Sequence, residues 1–369
     1  MTWHRLEIKN DKIQDGPNEV IGYSFYYDNS FKFRIADKDF NNMLNSYKGK
    51  YQLLLAPLTS KIAFEGTTIE ENVKTITVTD KGISIVKKLS EKLSMNLDTS
   101  KEINLEIICK DKVFLSLPWE FLFDDSDYLT KKIYIQRAQN IDATKSVVKF
   151  TKDHLLFAVA QCKLSDYDND STDHEKLPPC SIDSADHAKM IPIYYQGKIT
   201  ENCFSSFTFL RHLNCAALSE SISKYKVIHL NCHGIGDGKQ LCFESAEDYN
   251  SPEEIDLDKF KELIKAAKKV QLLFIYSCKM DKFREEGSFL AKIFGSFPNM
   301  EVIGMQYNIG AGSSNDDLGF IEKFYIALFA NKNVFESFRE ALSHLRGSPK
   351  SMVFSPIFYS NYDYKNIHE

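Results

Sequence analysis

Residues 226–238 read KVIHLNCHGIGDG, and residues 270–281 read VQLLFIYSCKMD. Each carries a largely apolar stretch of strand length, VIHL in the first and LLFIY in the second, and then breaks into small and reactive residues: Cys232, His233 and Gly234 in the first, Ser277 and Cys278 in the second. Apolar runs without alternation are how strands buried on both faces read. Outward from these two segments the same rhythm recurs in LLFAVAQC (155–162), MIPIYY (190–195) and EVIGMQY (301–307). Between the runs lie amphipathic stretches of helical spacing at 210–223, 256–269, 287–297 and 316–345. This alternation predicts an α/β fold with a mostly parallel sheet flanked by helices.

The first 145 residues have a different texture. VIGYSFYYDN (20–29), FKFRIA (31–36), YQLLLAPL (51–58), INLEIICKD (103–111) and KKIYIQRAQ (131–139) read as strands, with helical patterns at 37–47 and 81–95. The order is irregular, which predicts an N-terminal α+β subdomain over residues 1–148 and a second domain over 149–369. Residues 163–188 are acidic, rich in Asp and Ser, and contain Pro178 and Pro179, so they read as a long exposed loop. Two readings stand for it, a loop that is cleaved or moved during activation and a tolerated surface insertion.

Ligands of open parallel sheets gather at the carboxyl ends of the strands. If the two quoted strands are neighbours, the His233 imidazole and the Cys278 thiol meet in one crevice. A free thiol titrates near 8.5 and is mostly protonated at neutral pH, whereas the thiolate is the nucleophile. A nearby imidazole takes that proton and can return it to a leaving amine. Gly234 leaves its backbone N–H room to turn toward a substrate carbonyl, and with the N–H of Cys278 it would form an oxyanion hole. The two residues lie 45 positions apart with a helix pattern between them. In caspases the histidine stands roughly 50 residues upstream of the cysteine, but the caspase pentapeptide around the cysteine is absent here.

LSLPWEFLFDD (115–125), VIHLNCHGIGDG (227–238) and LLFIYSC (272–278) follow one another in this order. EVIGMQYNIG (301–310), FIEKFYIALFANKNVFESFREAL (320–342) and SPIFYS (355–360) come after them. In this order they resemble the CHAT domains, caspase-like domains named for their association with tetratricopeptide repeats and similar to caspases and separases. The resemblance runs nearly end to end. It implies a caspase-like cysteine endopeptidase with His233 as base and Cys278 as nucleophile, and a pseudo-protease-like supporting subdomain before about residue 148. Cys232 stands where the family most often has glycine, which leaves the pair intact and sets a second oxidisable thiol beside it. The resemblance also implies defence, including antiviral defence, or programmed-death signalling. Many relatives are fused to repeats or sensors, and this chain shows no internal repeat, so a latent protease is expected, activated by a partner or sensor protein in trans, by self-association, or by cleavage within 163–188.

Substrate preference rests on two residues. Arginine-specific relatives usually place an acidic residue two positions before the cysteine, and here that position is Tyr276, which cannot neutralise a buried guanidinium and favours an apolar or small P1 residue. Lys163, at the end of the first core strand, would instead favour an acidic P1. Tyr276 can equally pack inward as a core residue. Two further functions remain open: a catalytically idle scaffold that only binds partners, and an acyl hydrolase of small esters or thioesters. The scaffold reading is weakened because both His233 and Cys278 are present.

Composition sets the outer limits. The 369 residues are 43% hydrophobic and 26% charged, with a net charge of −5 that offers no basic field for nucleic acid. No window approaches the roughly 20 apolar residues a bilayer span requires, and the start, MTWHRLEIKND, is charged where a secretory signal is apolar. The expected location is therefore the cytoplasm, with no membrane partner. Eight cysteines at irregular spacings, without a C-x-x-C pair, suit neither a zinc site nor a disulfide framework. The glycines of HGIGDG match neither phosphate-loop pattern, so no nucleotide, metal or other cofactor is expected. Asp237 and Asp248 read as loop-solvating residues, Pro118 and Trp119 as the end of a strand anchoring the first subdomain, and Glu120 as a cap for the turn that follows. His154, His212, His229 and His344 show no ligand spacing, and His229 reads as a hydrogen-bonded core residue on the same strand face as His233.

Overall fold

The computed structural model describes residues 2–15, 18–46, 50–54, 75–79, 81–93, 95, 101–123, 133–160, 208–210, 212–248, 251–277, 279–306, 315–346 and 355–366. Thr2–Asp15 (β1), Asn18–Tyr27 (β2) and Ser30–Ala36 (β3) form an antiparallel meander. Its second turn passes through Asp28 and Asn29 at φ 46° and 64°, the left-handed pair that a tight hairpin requires and that Asp and Asn tolerate. β1 then pairs in parallel with Ile103–Cys109 (β6), which pairs in parallel with Ile133–Ala138 (β7). Lys50–Leu54 (β4) and Thr75–Thr79 (β5) make a separate two-stranded ribbon.

The second half of the chain supplies Leu155–Val159 (β8), Thr208–Leu210 (β9), Val227–Asn231 (β10), Leu272–Tyr276 (β14), Glu301–Met305 (β15) and Pro356–Tyr359 (β16). Among the described residues these join the first half in one 11-stranded sheet ordered β3-β2-β1-β6-β7-β16-β15-β14-β10-β8-β9. β1, β6, β7 and β16 run parallel to one another, as do β15, β14, β10, β8 and β9; the two blocks meet antiparallel at β15 and β16. The expected α/β architecture, mostly parallel and flanked by helices, is what the structure shows. β6, β7, β8, β15 and β16 are buried at every position, as strands covered on both faces must be.

The helices of the first half are Asp37–Ser46 (α1), Lys81–Leu93 (α2) and the single turn Lys112–Leu115 (α3). Those of the second are Cys215–Ile222 (α4), Leu257–Lys265 (α5), Phe289–Ser296 (α6), Asn315–Phe329 (α7) and Val334–Arg346 (α8). Their starts follow side-chain caps. Asn214, Asp256 and Ser288 each accept a backbone N–H from the first turn, at 2.9, 2.8 and 3.0 Å. The helix expected from residue 210 therefore begins only after Asn214, and residues 208–210 become β9 instead. The single helix expected over 316–345 is two. Asn331 takes φ 67° and ends the first, and Asn333 opens the second through a reciprocal cap with Glu336, at 2.8 and 3.1 Å.

MIPIYY and residues 163–188 lie outside the described residues. A small three-stranded sheet, His233–Ile235 (β11), Gln240–Glu244 (β12) and Pro252–Ile255 (β13), follows β10. Among the described residues no helix is long and apolar enough to cross a membrane.

Candidate active site

β10 and β14 are parallel neighbours in the sheet, in register from Val227 opposite Leu272 to Asn231 opposite Tyr276. The ends of the two strands that lead to His233 and Cys278 are thus side by side, the condition on which the sequence reading of the pair depends. His233 and Cys278 each stand two residues beyond the last paired positions, Asn231 and Tyr276. Cys278 and Lys163 lie outside the described residues. On the His233 side the chain is held by the N–H of Cys232 donating to the Tyr276 carbonyl at 3.4 Å.

His233 opens β11 opposite Cys242, and Gly234 follows opposite Leu241. Burial pulls the His233 pKa below its usual value, so the ring is neutral near pH 7, the form a general base must have. Tyr276 is partly buried, packs against the apolar core, and its ring centre lies 6.4 Å from that of His229. His229 itself is fully buried, stacked on Phe157 at 4.0 Å, and hydrogen-bonded through Nδ1 to the Tyr325 hydroxyl at 2.9 Å. Burial lowers its pKa to about 3, so it is a neutral core residue, as its position in the strand suggests. Cys109, Cys232 and Cys242 are buried, Cys215 is partly so, and none of the four is in a disulfide. Burial pushes the Cys215 thiol up to about 11 and Cys109 higher still.

The glycines of HGIGDG build a tight turn. Gly236 and Asp237 have φ 56° and 59°, and the N–H of Gly238 closes onto the Ile235 carbonyl at 3.0 Å, connecting β11 to β12. Asp237 is exposed in this loop, as the sequence reading has it, and its carboxylate also accepts from the amino groups of Lys279 and Lys282, both in the segment after Cys278.

A family model for the CHAT domain matches residues 51–362, most of the chain. The chain belongs to the CHAT domain family. Such domains are caspase-like, which at the coarse level points to a peptidase of the caspase-like cysteine class. No curated protein matches the chain.

Within this CHAT domain the Leu-Pro-Trp-Glu segment does more than anchor the first half. Leu117 and Pro118 follow the helical turn α3 rather than a strand, and Trp119 is buried with its indole N–H donating to the Phe114 carbonyl at 2.8 Å. A side chain at Gly82 of α2 would meet Pro118 and Phe283, so the segment after Cys278 packs against the same helix. Glu120, expected to cap a turn, instead grips the guanidinium of Arg137 at 2.6 and 2.8 Å. That pairing prevails because both side chains are buried, where a charge without a partner is costly.

Arg137 also donates to Asp281 at 2.6 Å and to the Gln306 side-chain oxygen at 3.2 Å. Asp281 accepts from the Tyr359 hydroxyl at 2.7 Å and from Ser288, the residue that caps α6, and its own N–H donates to Met305 at 3.0 Å. The residue three positions after Cys278 is thereby fixed to β7, β15, β16 and α6 at once. Neither this network nor the Asp237 contacts were read from the sequence. The one available signal was a charged residue, Arg137, inside the apolar run IYIQRA.

Proposed function

We propose that this CHAT domain is a regulated cysteine endopeptidase that cleaves a partner protein through His233 and Cys278. The observation that supports it most is the pairing of β10 and β14, which sets the two strand ends side by side with a neutral imidazole at one of them. In this reading His233 takes the thiol proton of Cys278, and the thiolate attacks the scissile carbonyl carbon. The N–H groups of Gly234 and Cys278 hold the resulting oxyanion. The imidazolium then protonates the departing amine as the C–N bond breaks, leaving a thioester. Water, deprotonated by His233, attacks the thioester carbonyl and releases the acid and the thiol.

Residues 1–148 act as the supporting subdomain and 149–369 as the catalytic domain. Tyr276 lines the pocket for an apolar or small P1 residue, with Lys163 the alternative determinant for an acidic one. The protease is held latent until a partner or sensor protein acts in trans, and it works in the cytoplasm in defence or programmed-death signalling. The test is covalent labelling with a panel of peptidyl acyloxymethyl ketones, read by intact mass, on wild type, Cys278→Ala and His233→Ala. One adduct on wild type that both substitutions abolish supports the dyad. No adduct on wild type, with or without added cell lysate, favours a binding scaffold.

A further inference from the structure

One carboxylate ties the turn after His233 to the segment after Cys278. Asp237 Oδ1 accepts from Lys279 Nζ at 3.2 Å and from Lys282 Nζ at 2.8 Å, Oδ2 accepts from Lys282 Nζ at 2.6 Å, and the Asp237 carbonyl accepts from the Arg284 guanidinium. Three cations that follow the proposed nucleophile therefore converge on one residue of the His233 turn. Backbone packing reinforces the junction, because a Cβ on Gly238 would overlap the carbonyl oxygen of Lys279.

The backbone at both sides of the junction is unusual. Asp237 and Lys279 lie in the left-handed region, at φ 59° and 58°. Asp adopts that conformation with the help of its short polar side chain, but Lys has no such help and must be held there by its surroundings. Left-handed residues other than glycine gather where a site's geometry is over-determined by its neighbours. Lys279 directly follows Cys278 in the chain, so holding Lys279 constrains the peptide that joins the two. Desolvation pushes the Asp237 carboxyl up, but its hydrogen bond and charge contact with Lys282, and then Lys279, outweigh it and hold the group below its usual range. The anion persists at every pH at which a thiol–imidazole pair works.

An ordinary surface ion pair would add little to folding, and these side chains are 46% exposed for Asp237 and 33% for Lys282. Small displacements between reacting groups, by contrast, have large effects on rate. We propose that Asp237 is a positioning residue: by gripping Lys279 and Lys282 it fixes the Cys278 segment against the His233 turn and so sets the approach of thiol to imidazole. This rests on the dyad reading above.

The experiment follows iodoacetamide alkylation of Cys278 in the full chain between about pH 5.5 and 9.5, by the mass of the Cys278 peptide, alongside thermal melting. His233→Ala defines the profile of the thiol without its partner. Asp237→Asn keeps the left-handed turn, which Asn tolerates, and removes the charge. The expected result is at least a roughly ten-fold loss of reactivity near neutral pH, a profile moved toward that of His233→Ala, and an unchanged melting point. Lys282→Met moves it the same way, and the swap Asp237→Lys with Lys282→Asp restores reactivity relative to Asp237→Lys alone. A wild-type profile in Asp237→Asn, while His233→Ala is altered, overturns the positioning role and leaves the dyad standing. An unaltered profile in His233→Ala overturns the dyad and this inference together. Reactivity lost in step with melting, and not restored by the swap, assigns Asp237 to folding and overturns its positioning role.

Discussion

The guanidinium of Arg137 donates to the carboxylate of Asp281 at 2.6 Å with both side chains fully buried, joining the end of strand β7 to the segment that follows Cys278. Glu120 occupies the other side of the same guanidinium. Two carboxylates and one cation thus share a site that water does not reach.

Removing the cation leaves both carboxylates buried without it. Arg137→Met is expected to lower stability by about 3–5 kcal/mol, the usual cost of breaking one side of a buried ion pair. Glu120→Gln, which leaves Arg137 paired with Asp281, costs less. Urea denaturation of the three proteins checks the order; equal stability of Arg137→Met and wild type would contradict it.

Burial, aided by the nearby Glu120 charge, pushes the Asp281 carboxyl up to about 7 against the opposing pull of Arg137. Burial does the same to Glu301, also to about 7. Between about pH 4 and 7 the folded chain holds protons that the unfolded chain has released. The contribution of these groups is full below about pH 4 and is lost as pH rises through about 7, at up to about 1.4 kcal/mol per pH unit for each. Asp281→Asn and Glu301→Gln should each flatten that slope when denaturation is measured at about pH 5, 6 and 7, inside that window. A slope unchanged in both variants contradicts the assignment.

His229 behaves with the opposite sign. Its folded pKa is lowered to about 3 by burial, so the unfolded chain takes up a proton first as pH falls below about 6.5, and stability is lost from there downward. Tyr325→Phe removes the partner of Nδ1 and is expected to cost about 1–3 kcal/mol while leaving the labelling of Cys278 unchanged. Loss of labelling without loss of stability would place His229 in the chemistry rather than the core.

Gly238 has φ 82° and abuts the Lys279 carbonyl. Gly238→Ala must therefore displace that carbonyl as well as strain the turn, and it is expected to cost at least about 1 kcal/mol and to depress Cys278 alkylation. Alkylation at the wild-type rate would show that the junction can move without consequence for the thiol.

Much of this was legible in the sequence. Largely apolar runs such as VIHL and LLFIY point to strands covered on both faces, and the Cys-His-Gly and Ser-Cys that come after them mark where the chain leaves the sheet. Length and periodicity could not reveal the β11–β12 hairpin, whose first strand is only His233–Ile235. The break at Asn331 was hidden because the apolar spacing of α7 and α8 continues through it; the reciprocal Asn333–Glu336 cap was the signal to weigh. The roles of Glu120, Asp237 and Asp281 depend on partners far away in the chain, 17, 45 and 144 residues off for the pairs with Arg137, Lys282 and Arg137. Beyond the charge of Arg137 inside IYIQRA, local pattern carries no trace of such pairings.

The proposed activity is peptide-bond cleavage by His233 and Cys278. Its most direct test is incubation of the full chain, alone and with cell lysate as a source of the activator, with a library of proteome-derived peptides, followed by sequencing of the new termini. The expected result is new termini with wild type that share a P1 preference and vanish in both Cys278→Ala and His233→Ala. Identical peptide populations from wild type and Cys278→Ala under both conditions would contradict it.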